Sequence, residues 1–241
     1  MNTNSRMLGI FLLFASGMAS AADAPPDLSG IWTMQADGRA GIALNGPGDF
    51  EKTAPFTPLA RSKLAEYHAL VDQTGDSPGA HCVAHGMPLA VFLGGGYPVE
   101  FIQRPDQLTI IYETHNEVRR VFLDGRRIDA QDILPSRGGV SWGRWEQGAL
   151  VVETTGLTEG IDQPTAHSED ARIIERYTPG VRDGLKRLQV EVTIHDPAFY
   201  TSPPTLKREY TEVRDGRMLD YDCTEPDWQA HLDSLRQHKN H

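Results

Sequence analysis

Residues 27–32 read Asp-Leu-Ser-Gly-Ile-Trp and open the first predicted strand of the chain. Gly30 stands two positions before Trp32, so a residue without a side chain precedes a large aromatic one. A closed barrel uses glycine where the entering backbone passes close to a neighbouring strand, and a large aromatic side chain fills one end of a small barrel. This stretch therefore predicts a β-barrel.

Most of the chain after residue 98 consists of short segments rich in β-branched and aromatic residues. The clearest hairpin joins 140–146 to 149–155 through Gln147-Gly148, and alternation places Trp142 and Trp145 on opposite faces. Further strands are predicted at 31–34, 99–104, 108–113, 117–123, 171–177, 185–195, 206–213 and 218–223. The short links favour an all-β, antiparallel barrel of about eight to ten strands, because closing the sheet removes exposed edges.

One or two short helices are expected outside the barrel. In 57–71, Thr57 is suited to cap the N-terminus and Pro58 to occupy the first turn. The apolar face predicted for this helix consists of Leu59, Leu64, Tyr67, Leu70 and Val71. A short amphipathic helix is predicted at 227–237. Residues 33–56 are predicted to form a long surface loop, which together with 156–170 serves as a lid over the barrel mouth.

The first 21 residues have the pattern of a signal peptide. Arg6 is followed by an apolar run over 7–18 and by a small-residue cleavage site, Ala19-Ser20-Ala21. The apolar run is too short for a membrane-spanning helix, so no membrane insertion is expected. The pattern predicts a periplasmic or secreted protein whose residues 22–241 form a single barrel domain.

The charge of the chain argues against two classes of partner. The formal net charge is -10 at pH 7, and loss of Arg6 with the signal peptide leaves the mature chain at -11. An acidic surface of this kind disfavours binding to nucleic acid and to anionic lipid. The oligomeric state is left open by the sequence.

The chain has two cysteines, Cys82 and Cys223. In an oxidising compartment such a pair favours a disulfide, and two buried free thiols are the alternative. His81 and His85 flank Cys82 and are of metal-ligand type. A metal site there needs ligands from elsewhere and competes with Cys223 for Cys82, so metal binding by these histidines stays open and no cofactor is predicted.

The opening at 27–32 resembles the signature of the calycins, the superfamily of lipocalins, fatty-acid-binding proteins and avidins. A set of later motifs, in this order, resembles a large family of exported bacterial proteins: 117–120, 123–126, 142–146, 150–154, 167–169, 175–177, 193–197 and 222–225. The resemblance covers about residues 27–226. The chain departs from the family at 147–148, where Gly-Asp is usual, and at 81–85, where Arg-Cys-Leu-Pro is usual. The resemblance implies an exported, calycin-like barrel and assigns no chemistry.

Ionisable residues in the predicted strands are the first candidates for a site. If 108–122 forms one continuous strand, its ionisable residues of one parity share a face: Glu113, His115, Glu117 and Arg119. A turn at His115-Asn116 breaks that register, because asparagine favours turns. A solvated outer face of paired charges is the alternative for these residues.

The connection at 156–170 and the strand after it supply further candidates. His167 is predicted to carry protons near neutral pH, with Glu169 or Glu175 setting its tautomer; a surface histidine without a role is the alternative. Alternation points Glu175 inward, where it is either a general acid or the partner of a buried arginine.

Three functional hypotheses follow. The first is binding of a small apolar or aromatic molecule in the barrel cavity; the lining is predicted to include Phe101, Tyr112, Glu113, Trp142 and Trp145. The second is a cofactor-free acid-base enzyme, an isomerase, lyase or cyclase, that uses Arg119, His115, His167, Glu169 and Glu175. The third is a cell-envelope structural or assembly factor, which predicts a filled barrel with an exposed apolar patch.

Overall fold

Nine strands form a closed barrel within the part of the chain that the computed structural model describes, residues 24–34, 47–72, 75, 77–92 and 97–224. The strands are β1 Gly30–Thr33, β2 Val99–Gln103, β3 Gln107–Tyr112, β4 Glu117–Phe122, β5 Val140–Glu146, β6 Ala149–Thr155, β7 Arg172–Arg182, β8 Leu185–His195 and β9 Thr205–Glu212. The prediction of an all-β barrel is confirmed. The predicted signal peptide, residues 35–46 of the predicted lid and the predicted helix at 227–237 lie outside the described residues.

The strands follow one another around the barrel in sequence order, and β9 closes it on β1. Every neighbouring pair is antiparallel except β4 and β5, which are parallel. A ring with an odd number of strands cannot alternate in direction all the way round, so one parallel pair is required. The chain makes the required crossover between residues 123 and 139, and β4 and β5 are paired only at Val121–Ser141 and Phe122–Trp142.

The prediction for the opening stretch holds for Trp32 and fails for Gly30. Trp32 is 1% exposed, and its indole nitrogen donates to the carbonyl of Leu28 at 3.0 Å, so the aromatic side chain closes the core as predicted. Gly30 was predicted at a close approach of the backbone to a neighbouring strand, and this prediction is wrong. A Cβ there would have no atom nearer than 4.0 Å, whereas its φ of +136° is a conformation that other residues rarely adopt.

The hairpin at Gln147-Gly148 is confirmed, because both residues have positive φ, as a two-residue turn of this kind requires. The predicted strand at 218–223 is wrong, since these residues form no strand and run across the end of the barrel. Strand β7 continues five residues beyond the predicted end at Tyr177, to Arg182, and pairs along its whole length with β8.

Two helices lie outside the barrel in the described part of the chain. Helix α1, Pro47–Thr53, falls where a loop was predicted, which is a correction. Helix α2, Pro58–Val71, is capped by Thr57 as predicted. Its buried face was predicted in part: Leu64 is buried as predicted, but Leu59 and Leu70 are exposed, and Ala60, which was not predicted, is buried. No helix in the described part combines the length and the apolar character needed to cross a membrane.

The predicted disulfide between Cys82 and Cys223 is present, with the two Cα atoms 5.6 Å apart. It joins segments separated by 141 positions and attaches the residues before Cys223 to the turn at Pro78–His81. The connection at 156–170 is folded against the protein, with Leu157, Ala166 and His167 almost fully buried.

Candidate functional site

Two predicted site residues meet at the centre of the barrel. Arg119 on β4 and Glu175 on β7 form a two-pronged ion pair, with Nη1 to Oε1 at 3.0 Å and Nη2 to Oε2 at 2.6 Å. Their side chains are 6% and 0% exposed. Bidentate pairing of this kind is the strong form of a charge-assisted hydrogen bond.

The remaining donors of Arg119 are also occupied. Its Nε donates to the Ser141 hydroxyl at 3.0 Å, and Nη2 donates to the Thr154 hydroxyl at 2.8 Å. The two hydroxyls are 2.9 Å apart, so β4, β5, β6 and β7 are linked through one network. Burial raises the pKa of Tyr177 beside it, which keeps that hydroxyl neutral. Of the two alternatives for Glu175, a general acid or the partner of a buried arginine, the geometry favours the second, because each charge is paired with the opposite charge.

His167 and Glu169 lie away from this pair. The ring of His167 is 1% exposed, with Nδ1 3.0 Å from the Ser168 carbonyl oxygen and Nε2 3.0 Å from the Met87 carbonyl oxygen. Burial lowers the pKa of His167 and favours the neutral ring. A neutral ring has one N–H, so it donates to one of these two carbonyl oxygens and not to both. Glu169 is exposed on the same connection, 156–170.

His115 lies at the end of the barrel, in the turn between β3 and β4. Its φ of +61° breaks the strand, so Glu113 and His115 do not continue the face of Arg119. The ring lies 4.8 Å from that of His85 and 5.1 Å from that of Tyr221, and burial lowers its pKa. The Glu113 carboxylate accepts from the backbone nitrogen of Leu219 at 2.7 Å.

The predicted aromatic lining is divided between the core and the outer wall. Phe101 and Tyr112 point inward, and the Phe101 ring is 5.9 Å from that of Tyr177. Trp145 packs against the core. Trp142 lies on the opposite face of β5, where the Arg127 guanidinium is 4.7 Å from its ring centroid.

A cleft of about 540 Å³ opens at the seam between β4 and the chain that leads into β5. The cleft contacts both faces of β4, because Glu117 and Arg119 have inward parity while Val118 and Arg120 have outward parity. In the described residues no strand pairs with 117–120 on this side. We call this space the wall cleft. Its apolar lining is formed by Met87, Val118, Phe122, Ile128 and Val140.

Three arginines line the wall cleft, and two of them have a buried or half-buried acidic partner. Arg119 is paired with Glu175, and Arg137 is paired with Asp162 at 2.8 Å. Arg137 also donates to the Ala84 carbonyl at 2.9 Å. Arg120 is exposed, and the described residues provide it with no ion pair. The uncompensated positive charge of the cleft is therefore at its outer edge.

Glu117 is the acidic group of the wall cleft. The backbone nitrogen of Gly86 donates to both carboxylate oxygens, at 3.1 and 3.3 Å. Burial raises the pKa of Glu117, although the backbone donors at residues 85 and 86 and the charges of Arg119 and Arg137 act in the opposite direction. Glu117 also lines a small pocket at the barrel end together with His85.

His85 borders this pocket as a neutral group. Burial, and then the charges of His115 and Arg137, lower its pKa to about 4. Sequence reasoning placed Glu117 on the face of Arg119 but gave it no role, and it left Arg120 and Arg137 out of the candidate site. The parity of Glu117 with Arg119, two positions along one strand, was the signal that could have identified it. Nothing local in the sequence indicates that residues 136–139 approach β4.

Comparison of the chain with protein-family models, with curated proteins and with solved structures found no match. The site is therefore interpreted from its own chemistry. Among the described residues no three His, Cys, Asp or Glu side chains are grouped to hold a metal ion, and Cys82 is bonded to Cys223. An apolar surface beside a cation and a protonatable carboxyl can hold an amphipathic organic molecule and exchange a proton with it.

Proposed function

We propose that this protein binds a small organic molecule with an apolar or aromatic body and an acidic group, and that the wall cleft is the binding site. One observation supports this most directly: the apolar lining of the cleft ends at Arg120, a cation without an ion pair in the described part of the chain. The volume of about 540 Å³ is within the range of small-molecule sites.

The wall cleft suits a ligand better than the centre of the barrel does. Between the strands, side chains such as Leu108, Val152 and Ile194 are completely buried, and the Arg119–Glu175 network occupies the middle. We therefore place the ligand at the wall instead of in the central cavity expected from the sequence.

The setting that we propose is an oxidising compartment. The Cys82–Cys223 disulfide is typical of exported proteins. Together with the signal pattern in the sequence, it supports a periplasmic or secreted protein, and the closed barrel is compatible with kinship to the calycins.

Fluorescence titration with 8-anilinonaphthalene-1-sulfonate, an aromatic probe with a fixed negative charge, tests the proposal. We expect saturable binding to the folded protein. Val118→Glu places a carboxylate in the cleft and should weaken binding about fivefold, since a like charge at close range costs on the order of 1 kcal/mol. Ile102→Glu is the matched control, because Ile102 is 42% exposed and Val118 46% exposed, and Ile102 does not line the cleft.

Removing the positive charge should also weaken binding. Arg120→Gln should reduce affinity for the sulfonate about two- to fivefold, which is the size expected for an exposed charge pair. Arg104→Gln is its control, an exposed arginine outside the cleft. Equal binding by all four variants and the wild type would contradict the proposal. It would favour the hypothesis of a cell-envelope structural or assembly factor. The filled barrel and exposed apolar residues such as Leu134 are consistent with that hypothesis.

An acid-base enzyme is the second candidate, and one observation favours it. Glu117, a carboxyl with a raised pKa, lines the wall cleft, and the neutral His85 borders Glu117 at a pocket of only about 10 Å³. If a ligand with an acidic C–H bond is turned over, Glu117→Gln should abolish turnover without loss of affinity. Hydrogen-deuterium exchange of that C–H bond with solvent is the measurement.

A further inference from the structure

Glu117 lies where the wall cleft meets the inner face of β4. The Gly86 nitrogen holds its carboxylate at 3.1 and 3.3 Å. Gly86 is itself held by backbone hydrogen bonds, since its carbonyl accepts from the Ala90 nitrogen at 2.8 Å and the next residue, Met87, donates to the Arg137 carbonyl at 2.8 Å. The carboxylate therefore keeps one position beside the ligand space.

The fixed charges around Glu117 nearly cancel. Arg119 is balanced by Glu175 at 2.6 Å, and Arg137 is balanced by Asp162 at 2.8 Å. Arg120 and Glu117 remain. With Glu117 ionised the cleft is close to neutral, and with Glu117 protonated it has one net positive charge.

The groups that face Glu117 come from six parts of the chain, which are listed here: Arg119 on β4, Tyr112 on β3, Tyr210 on β9, His85 in the segment after Cys82, Tyr97 before β2 and Arg137 in the crossover. Arg119 and Arg137 stay charged, Tyr112 stays neutral because burial raises its pKa, and His85 becomes protonated only near pH 4. Above that range Glu117 is the facing group that changes charge. Its carboxyl is largely withdrawn from water, which raises its pKa above the ordinary 4.5.

We propose that Glu117 selects the ligands of the wall cleft by charge: the protonated side chain admits a singly charged organic anion, and the ionised side chain repels it. This inference rests on the proposed function and adds a rule for when the cleft is occupied. By linkage, a bound anion must favour protonation of Glu117, so binding takes up protons from solution.

Titration of the sulfonate probe over a range of pH tests the inference, because its charge does not change. Affinity should fall about three- to tenfold as pH rises through the pKa of Glu117. This is the repulsion expected between two negative charges about 7 Å apart in a partly solvated site. Calorimetry in buffers of different ionisation enthalpy should detect proton uptake on binding. The neutral analogue N-phenyl-1-naphthylamine should bind with no such dependence.

Glu117→Gln should bind the sulfonate at every pH as the wild type does at low pH, with the dependence removed. Glu66→Gln on α2 makes the same charge change at an exposed position away from the cleft and should keep the wild-type profile. If Glu117→Gln does not fold, Glu117→Asp should shift the midpoint of the profile. A wild-type profile in Glu117→Gln, a flat profile in the wild type or an equal dependence for the neutral analogue overturns the inference. Only insensitivity to Val118→Glu and Arg120→Gln overturns the binding site itself.

Discussion

Arg119 and Arg120 are neighbours on β4, yet they belong to two different regions of the molecule. Arg119 points into the barrel and bonds Glu175, Ser141 and Thr154. Arg120 points outward at the wall cleft, where it is exposed. Alternation along one strand thus separates a cation used for folding from one available to a ligand.

The two edges of β4 show the same contrast. Toward β3, all six residues of β4 are paired in a regular antiparallel ladder, whereas toward β5 only Val121 and Phe122 are paired. The well-paired side holds the core, and the incomplete side provides the cleft. Substitutions among the core residues should therefore affect stability, and substitutions among the exposed residues of the cleft should affect binding.

The largest effect is expected at the buried pair. Glu175→Gln leaves the Arg119 charge uncompensated and should lower the free energy of unfolding by about 3–5 kcal/mol. Replacing both residues, Arg119→Met with Glu175→Leu, should recover much of this loss. Urea unfolding followed by circular dichroism measures both effects.

An exposed pair is the control for this comparison. Glu191 contacts Lys207 at 2.6 Å with both side chains largely in water, so Glu191→Gln should cost less than about 1 kcal/mol. A similar loss of stability in Glu191→Gln and Glu175→Gln would mean that burial of the Arg119 network does not set its contribution.

The next largest effect is expected from the disulfide. Replacing Cys82 and Cys223 by serine should lower the free energy of unfolding by about 2–4 kcal/mol, since the bridge closes a long loop in the unfolded chain. The bridge lies on the cleft side of the molecule, near Gly86. Probe affinity should therefore fall as well when it is removed, whereas Glu191→Gln, at a position that does not line the cleft, should bind normally.

A smaller loss is expected at Gly86. Gly86→Ala forces an L-residue to φ +68° and brings its Cβ against the Arg137 carbonyl, which should cost about 2–3 kcal/mol. Gly125→Ala is the control: its φ is +75°, but no atom lies within 4 Å of the added Cβ, so about 1 kcal/mol is expected. Equal losses in thermal or urea unfolding would show that the close approach to residue 137 is unimportant.

The smallest effect on stability is expected at Arg120. Because its side chain is exposed and has no ion pair among the described residues, Arg120→Gln should change the free energy of unfolding by less than about 0.5 kcal/mol. If Arg120→Gln lowered the free energy of unfolding nearly as much as Glu175→Gln does, Arg120 would contribute to folding as Arg119 does. Urea unfolding measures both variants under one set of conditions.

Local signals in the sequence were sufficient for much of the fold. Turn chemistry located Gln147-Gly148, capping chemistry located the start of α2, and strand parity turned Glu175 inward. The exposure of Leu59 and Leu70 was not predictable in this way, because the orientation of a peripheral helix depends on the surface beneath it.

The site was less predictable because it depends on contacts between distant segments. Arg137 reaches β4 through a crossover that follows from the strand count, and its partner Asp162 is 25 positions away. Glu117 becomes significant only when residue 86 is known to cover it. Neither relation leaves a periodic pattern in the sequence.

The odd number of strands has a consequence for protein engineering. A nine-membered ring needs one parallel neighbour pair, and here that pair, β4 and β5, is joined at only two positions, which leaves the opening in the wall. Lengthening or shortening the connection at 123–139 should resize that opening while the other eight junctions keep their register. The size of this opening can therefore be changed without altering the strand pairs that form the rest of the barrel.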